Sequence, residues 1–224
     1  SDVYKRQKYD RVLFGTTVAE NSFTRKEVLH DPGFYLLLPG VLASPFIATG
    51  VLFHQAAIAD GKQWSMTLLA KAFTGFASGH ITGLFAAGPI VDRFGAGRVL
   101  PIALIPLVLS MTIVTIASGH AAAYLYLTLM GITQGFTSTA GGSIFAERYG
   151  VFHLGAIRSM VMSAMIASTA VAPVLIGFLL DKGVRISALT AVLAAGTLTA
   201  GVLAGLTQKP SVRNNCQPPG GDVE

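Results

Sequence analysis

The residue in this sequence best placed to do chemistry is Lys71, a cation set in a long run of apolar and small residues. A lysine inside a bilayer costs roughly 2.5–3.5 kcal/mol on insertion scales, so it faces a cavity, a partner or a water path. At helical spacing its neighbours are Thr74, Gly75, Ser78, Gly79, Thr82 and Gly83, all small or polar. Phe73, Phe76, Ala77, His80, Ile81 and Leu84 fall on the opposite side. A helix divided in this way turns the first face inward, towards a polar pathway or another helix. The competing reading is that Lys71, about two turns from Trp64, snorkels to the outer surface.

Other segments offer neutral hydrogen-bonding groups. His54 and Gln55 follow Pro45 and Gly50, and they either close a central cavity or form an interfacial pair. Gln134, Thr137, Ser138, Ser163 and Ser168 supply further amide and hydroxyl groups. The substrate-binding candidates are therefore Lys71, Ser78, His54, Gln55 and Gln134. His80 comes nine residues after Lys71, about 180° around a helix, and is read as a packed histidine in preference to a proton relay. Gly75, Gly79 and Gly83 form a tandem small-residue ladder, echoed by Gly131 and Gly135, and such ladders let helix backbones approach closely.

Several chemistries find no support. The five histidines are scattered and the one cysteine, Cys216, has no partner, so no metal site or cofactor is expected. Asp92, Glu147 and Asp181 fall in separate connections and no Ser/His/Asp or His/Glu spacing occurs, which argues against an enzyme.

These residues must be positioned by membrane-spanning elements. Of the 224 residues, 52% are hydrophobic and 12% charged, against about 25% charged in a soluble domain. Six apolar runs cover residues 33–59, 64–91, 99–117, 121–145, 154–180 and 186–206. Backbone groups in lipid must be satisfied internally, which selects helices for uninterrupted runs, and the period-two alternation of a membrane barrel is absent. The expected fold is all-α and integral to the membrane, with six transmembrane helices over residues 32–207. Thr24 and Glu27 have capping-box spacing, predicting a short surface helix to His30, after which Asp31-Pro32 opens the first span. Residues 1–31 form a basic cytoplasmic segment, of which 1–7 resemble a sequence-assembly or cloning remnant. Residues 208–224, rich in Pro, Asn and Gly, form a disordered cytoplasmic tail.

The formal charge of +5 is spread over short connections, where its partner is an anionic leaflet and not nucleic acid. Most of the sixteen Lys and Arg residues lie on the side of the Asp92 and Glu147 turns, with Lys62, Lys182 and Arg185 opposite. The expected orientation places both termini in the cytoplasm, in a bacterial-type inner (plasma) membrane. Gly88 to Arg93 and Gly177 to Lys182 echo each other, hinting at two inverted groups of three helices.

The turn Gly88-Pro-Ile-Val-Asp92-Arg93-Phe-Gly95-Ala-Gly97-Arg98 resembles the loop signature of the major facilitator superfamily, Gly-x-x-x-Asp-Arg-x-Gly followed by basic residues. Here Ala96 and Gly97 intervene before Arg98. Glu147-Arg148-Tyr149-Gly150 is similar to the acidic-basic turn between the family's tenth and eleventh helices, and Ala172-Pro173 with Gly177 is similar to its eleventh helix. The resemblance covers about residues 24–206. It implies the carboxy-terminal half of a twelve-helix secondary transporter working by alternating access against a missing amino-terminal six-helix half. It further implies a small-molecule solute, with a proton or exchange as coupling. A conformational latch would be built from Gly88, Asp92, Arg93, Gly95, Arg98, Glu147 and Arg148. A cation in the eighth helix is similar to monocarboxylate and oxalate–formate type carriers, which implies an organic anion as the substrate. The rivals are a six-helix assembly partner without transport activity and an integral-membrane enzyme.

Overall fold

The computed structural model describes residues 22–207, and among these every regular element is an α-helix. Helix α1 (Arg25–His30) begins where the Thr24–Glu27 spacing predicts. The Glu27 N–H donates to the Thr24 hydroxyl at 3.4 Å, and the Thr24 N–H donates to the Glu27 carboxylate at 2.8 Å. Two otherwise orphaned donors are thus satisfied reciprocally. Asp31 caps α2 (Pro32–Phe53) by accepting the Gly33 N–H at 2.9 Å, and Pro32 sits in the first turn, where no N–H is needed. The expectations for residues 1–21 and 208–224 lie outside the described residues.

Two runs expected to be continuous are divided. The first stops at Phe53 and resumes after His54 as α3 (Gln55–Lys62); the His54 ring Nδ1 bonds the Gly50 carbonyl at 2.9 Å. The third divides at Leu104 into α5 (Ala96–Ala103) and α6 (Ile105–Ile116), because Pro106 has no N–H to give the Ile102 carbonyl. The charged residues taken as connections are instead helical. Residues 60–62 finish α3, Asp92 and Arg93 belong to α4 (Met66–Phe94), and Glu147 and Arg148 belong to α7 (His120–Tyr149). Gly95 and Gly150, both at φ +80°, make the actual turns, since a Cβ is disfavoured in that region. Helices α8 (Leu154–Asp181) and α9 (Ile186–Leu206) complete the chain.

Among the described residues, four stretches are long and apolar enough to cross a membrane: α2, α5 with α6, α8 and α9. Helices α4 and α7, of 29 and 30 residues, are longer but more polar. They run parallel and form the most extensive interface of the bundle. Around this pair, α6 packs on α7 and α9, α2 packs on α8 and α9, and α5 packs on α7 and α9.

The apolar core is in two parts. One gathers Ile47, Val51, Trp64, Leu107, Met111, Tyr126 and Met130; the other gathers Val28, Leu37, Val41, Ala140, Ile144, Phe145 and Tyr149. Along α2 the change falls between Val41 and Ile47, and along α7 between Met130 and Ala140. That gap is filled by polar side chains.

Candidate functional site

The polar layer between the two cores joins α2 to α7. The Ser44 hydroxyl donates to Gln134 Oε1 at 2.6 Å, and the Thr137 hydroxyl contacts Ser44 Oγ at 3.1 Å. Ser44, Thr133 and Thr137 are buried, whereas Gln134 is half-buried. Gln134 lies fourteen residues into α7, about 21 Å along a helix of about 45 Å, so this layer is at mid-depth. Isolated hydroxyls and amides there would each lose hydrogen bonds with water, and pairing them offsets that cost.

The second polar feature is a stripe on α4. Ser65 caps the helix by accepting the Leu68 N–H at 3.1 Å. Lys71, Thr74, Ser78 and Thr82 then follow one another along an exposed line. Their hydroxyl protons are spent on backbone carbonyls: Thr74 on Lys71 at 2.7 Å, Ser78 on Gly75 at 3.1 Å and Thr82 on Ser78 at 2.8 Å. The oxygens face outward as acceptors. The Lys71 amine has no carboxylate partner among the described residues, where the ion pair is Arg148–Asp31. Lys71 is about 8 Å from the start of a helix of about 44 Å, nearer that end than the middle. It is roughly 20 Å along the bundle from Gln134, so these two candidates are not brought together.

The sequence placed the glycines on the same face as Lys71. The structure separates them. Gly79 and Gly83 are buried and Gly75 half-buried against α7, while the cation and hydroxyls stay exposed. A Cβ at Gly79 would meet the Thr128 carbonyl, one at Gly83 the Ile132 carbonyl, one at Gly131 the Phe76 carbonyl and one at Gly135 the His80 carbonyl. Phe76 and His80, expected on the outward face, are drawn to this interface and stack at 6.3 Å. His80 Nδ1 is buried there without a hydrogen-bond partner.

Two further candidates sit elsewhere. The imidazole of His54 is half-buried, with Nε2 beside Gly177 of α8. Gln55 does not face an open cavity. It is 7% exposed and accepts the Tyr126 hydroxyl at 2.5 Å, while Tyr126 stacks on Trp64 at 5.7 Å. Trp64 Nε1 in turn donates to the Ser118 carbonyl at 2.6 Å. The apolar company of Tyr126 and Trp64 decides this placement, and two residues of sequence context around Gln55 do not reveal it.

Of the residues expected to form a latch, Gly95 and Glu147 come together and Arg148 belongs to a separate cluster, while Gly88, Asp92, Arg93 and Arg98 join neither. Glu147 holds a helix N-terminus. Its carboxylate accepts the Ala96 N–H at 2.8 and 2.9 Å and the Gly97 N–H at 3.4 Å, compensating the orphaned donors of α5. Gly95 supplies the sharp entry, with the Glu147 carboxylate 3.5 Å from where a Cβ would lie. Asp92 and Arg93 are exposed, and Arg93 lies over the Phe94 ring at 5.5 Å. Gly88 has open space beside it.

In the separate cluster Arg148 reaches Asp31 Oδ2 at 3.4 Å and the Thr207 carbonyl at 2.5 Å, while the Tyr149 hydroxyl donates to Asp31 Oδ2 at 2.7 Å. This cluster ties the end of α7 to the start of α2 and the end of α9. Burial pushes the Asp31 carboxyl up, but the Tyr149 hydroxyl, the Gly33 N–H and the Arg148 guanidinium together hold it below its ordinary value. The sequence marked Asp31 only as a helix start; nothing in its neighbours announces a partner more than a hundred residues away.

Long apolar helices around a polar mid-depth layer, with a polar stripe left exposed on α4, define an all-helical integral membrane protein. The family model for the Major Facilitator Superfamily matches residues 26–220, and the chain belongs to that superfamily. Solute movement across a membrane is the activity of this family, and enzymatic catalysis is not. No curated protein matches the chain.

Proposed function

We propose that this chain forms the carboxy-terminal six-helix half of a secondary transporter for a small organic anion such as a monocarboxylate. The observation carrying the reading is the α4 stripe. A helix locked to α7 by its glycines presents, on a different side, a cation and three hydroxyls that no described side chain covers. An amino-terminal six-helix half supplies the facing wall, and α8, barely buried in this bundle, is a second surface for it to cover. Lys71 acts at the outer mouth, raising the local concentration of carboxylate, and Ser78 continues the path inward. Gln134 offers its amide at mid-depth, where transporter sites lie. His54 borders the α2–α8 contact and Gln55 braces the outer core. Coupling uses a proton or exchange of substrate.

Packing supports a repeat of two three-helix groups, with α4 and α7 among the six spans. Exchanging α2, α4 and α5–α6 with α7, α8 and α9 maps the α2–α8 contact onto α7–α4 and the α6–α7 contact onto α9–α2. Alternating access then moves this half against its partner. The cap from Glu147 keeps the α4–α5 corner rigid, while exposed Asp92 and Arg93 are available to pair with the other half in one state. The orientation is with this end, and both termini, in the cytoplasm of an inner (plasma) membrane.

The test is uptake into proteoliposomes holding the complete transporter, with a monocarboxylate and a neutral solute of similar size. Lys71→Gln lowers uptake of the anion by about tenfold, equivalent to about 1.4 kcal/mol, and Lys71→Arg retains most of it. Uptake and affinity unchanged in Lys71→Gln remove Lys71 from the pathway.

A further inference from the structure

A groove beside the ends of α4 and α5 is left unused by the transport reading. It has a volume of about 380 Å³ and is walled by Ile90, Phe94, Ile102, Pro106 and Phe136, with Arg98 at its edge. It does not open on the polar stripe, because Ile90 and Phe94 leave α4 roughly 100–140° around from Lys71. Ile90, Phe94 and Ile102 are exposed, so the groove is open on the side of the bundle.

The charge at its edge is uncompensated. Arg98 is exposed and has no hydrogen-bond or ion-pair partner among the described residues. Arg93 lies over the ring of Phe94, one of the walls, at 5.5 Å, without itself lining the groove. Neither neighbouring carboxylate neutralises Arg98. Glu147 is engaged by the Ala96 and Gly97 N–H groups, and Asp92 leaves α4 roughly 160° around from Ile90.

We propose that this groove is a binding site for an anionic phospholipid, with one acyl chain along the apolar walls and the headgroup phosphate on Arg98. A trough open along the side of a span takes hydrocarbon, and a planar guanidinium at the membrane boundary binds phosphate oxygens in pairs. Basic pockets between helices at the cytoplasmic boundary select anionic headgroups on this principle. A second groove supplies an internal contrast. It lies between α5–α6 and α9, measures about 320 Å³ and has no charged residue in its walls. It takes hydrocarbon without preference for a headgroup.

The proposal rests on these helices lying in a bilayer with this end at the surface. Lipid retention in detergent requires neither transport nor a particular orientation, so its failure is separable from failure of the transport reading. The experiment is native mass spectrometry of the full chain in mild detergent with equimolar phosphatidylglycerol and phosphatidylcholine of identical acyl chains. The unaltered chain retains phosphatidylglycerol about fivefold over phosphatidylcholine, the preference expected of a cation near the headgroups. Arg98→Gln brings the two lipids close to parity, Arg98→Lys keeps most of the preference, and Arg185→Gln, at the other end of the bundle, leaves it intact. Equal retention by the unaltered chain overturns the proposal. So does a full preference surviving in Arg98→Gln.

Discussion

Replacing Gly79 with alanine should destabilise the bundle although alanine is the better helix former. The added Cβ would run into the Thr128 carbonyl, with Ile132 N and Thr128 C at 3.2 Å behind it. These are backbone atoms of a neighbouring helix and cannot rotate away, so α4 and α7 must part. Overpacking of this kind costs about 1–3 kcal/mol, and a backbone obstacle argues for the upper end. Alanine returns about 1 kcal/mol of helix propensity, leaving a net loss of about 2 kcal/mol. Gly196→Ala is the control: its Cβ would meet nothing within 4 Å, and it should gain about 0.5–1 kcal/mol. The two variants should therefore differ by about 3 kcal/mol in unfolding followed by circular dichroism in mixed detergent–dodecyl sulfate micelles. Gly131→Ala meets the Phe76 carbonyl across the same interface. Once the helices have parted for one methyl group the second costs less, so the double variant should fall short of additivity by about 1 kcal/mol. If Gly79→Ala is as benign as Gly196→Ala, the close approach of α4 and α7 is not what holds this pair together.

Glu147→Ala removes the carboxylate that receives the Ala96 and Gly97 N–H groups; the expected loss is about 1–2 kcal/mol in the same unfolding measurement, with Glu147→Gln intermediate. Asp31→Asn preserves a side chain able to cap α2 but loses the charge facing Arg148, for an expected loss of about 1–3 kcal/mol at neutral pH. Because the Asp31 carboxyl is held below its ordinary 3.8, its contribution is complete above that value and disappears as pH falls through the lower value of the folded protein. Unfolding midpoints measured between pH 6 and pH 3 should show this acid loss in the native sequence, and Asp31→Asn should flatten it. A variant that keeps the whole acid dependence would assign it to another carboxylate.

Much of this protein is fixed by composition and short-range pattern. Apolar runs of about twenty residues have few solutions in lipid other than helices, and a capping box, an Asp-Pro step and the Gly88-to-Arg98 turn mark ends that local geometry alone decides. The family could be read from that turn for the same reason: glycines that shape a corner and charges that stop a span leave a local trace. Only the tertiary structure decided how the elements meet. The glycine ladders of α4 and α7 point at each other's carbonyls, which a list of spacings on single helices does not say. That pairing rotates α4 so that Lys71 and the hydroxyls part company with the glycines. Glu147 caps the head of α5, Asp31 finds Arg148, and Gln55 turns into the core against Tyr126. Each of these contacts joins residues about fifty or more apart, where the partner is chosen by the packing of whole helices. The mid-depth layer of Ser44, Gln134 and Thr137 arises in the same way, since hydroxyls and amides scattered along two spans become one layer only when α2 and α7 lie side by side.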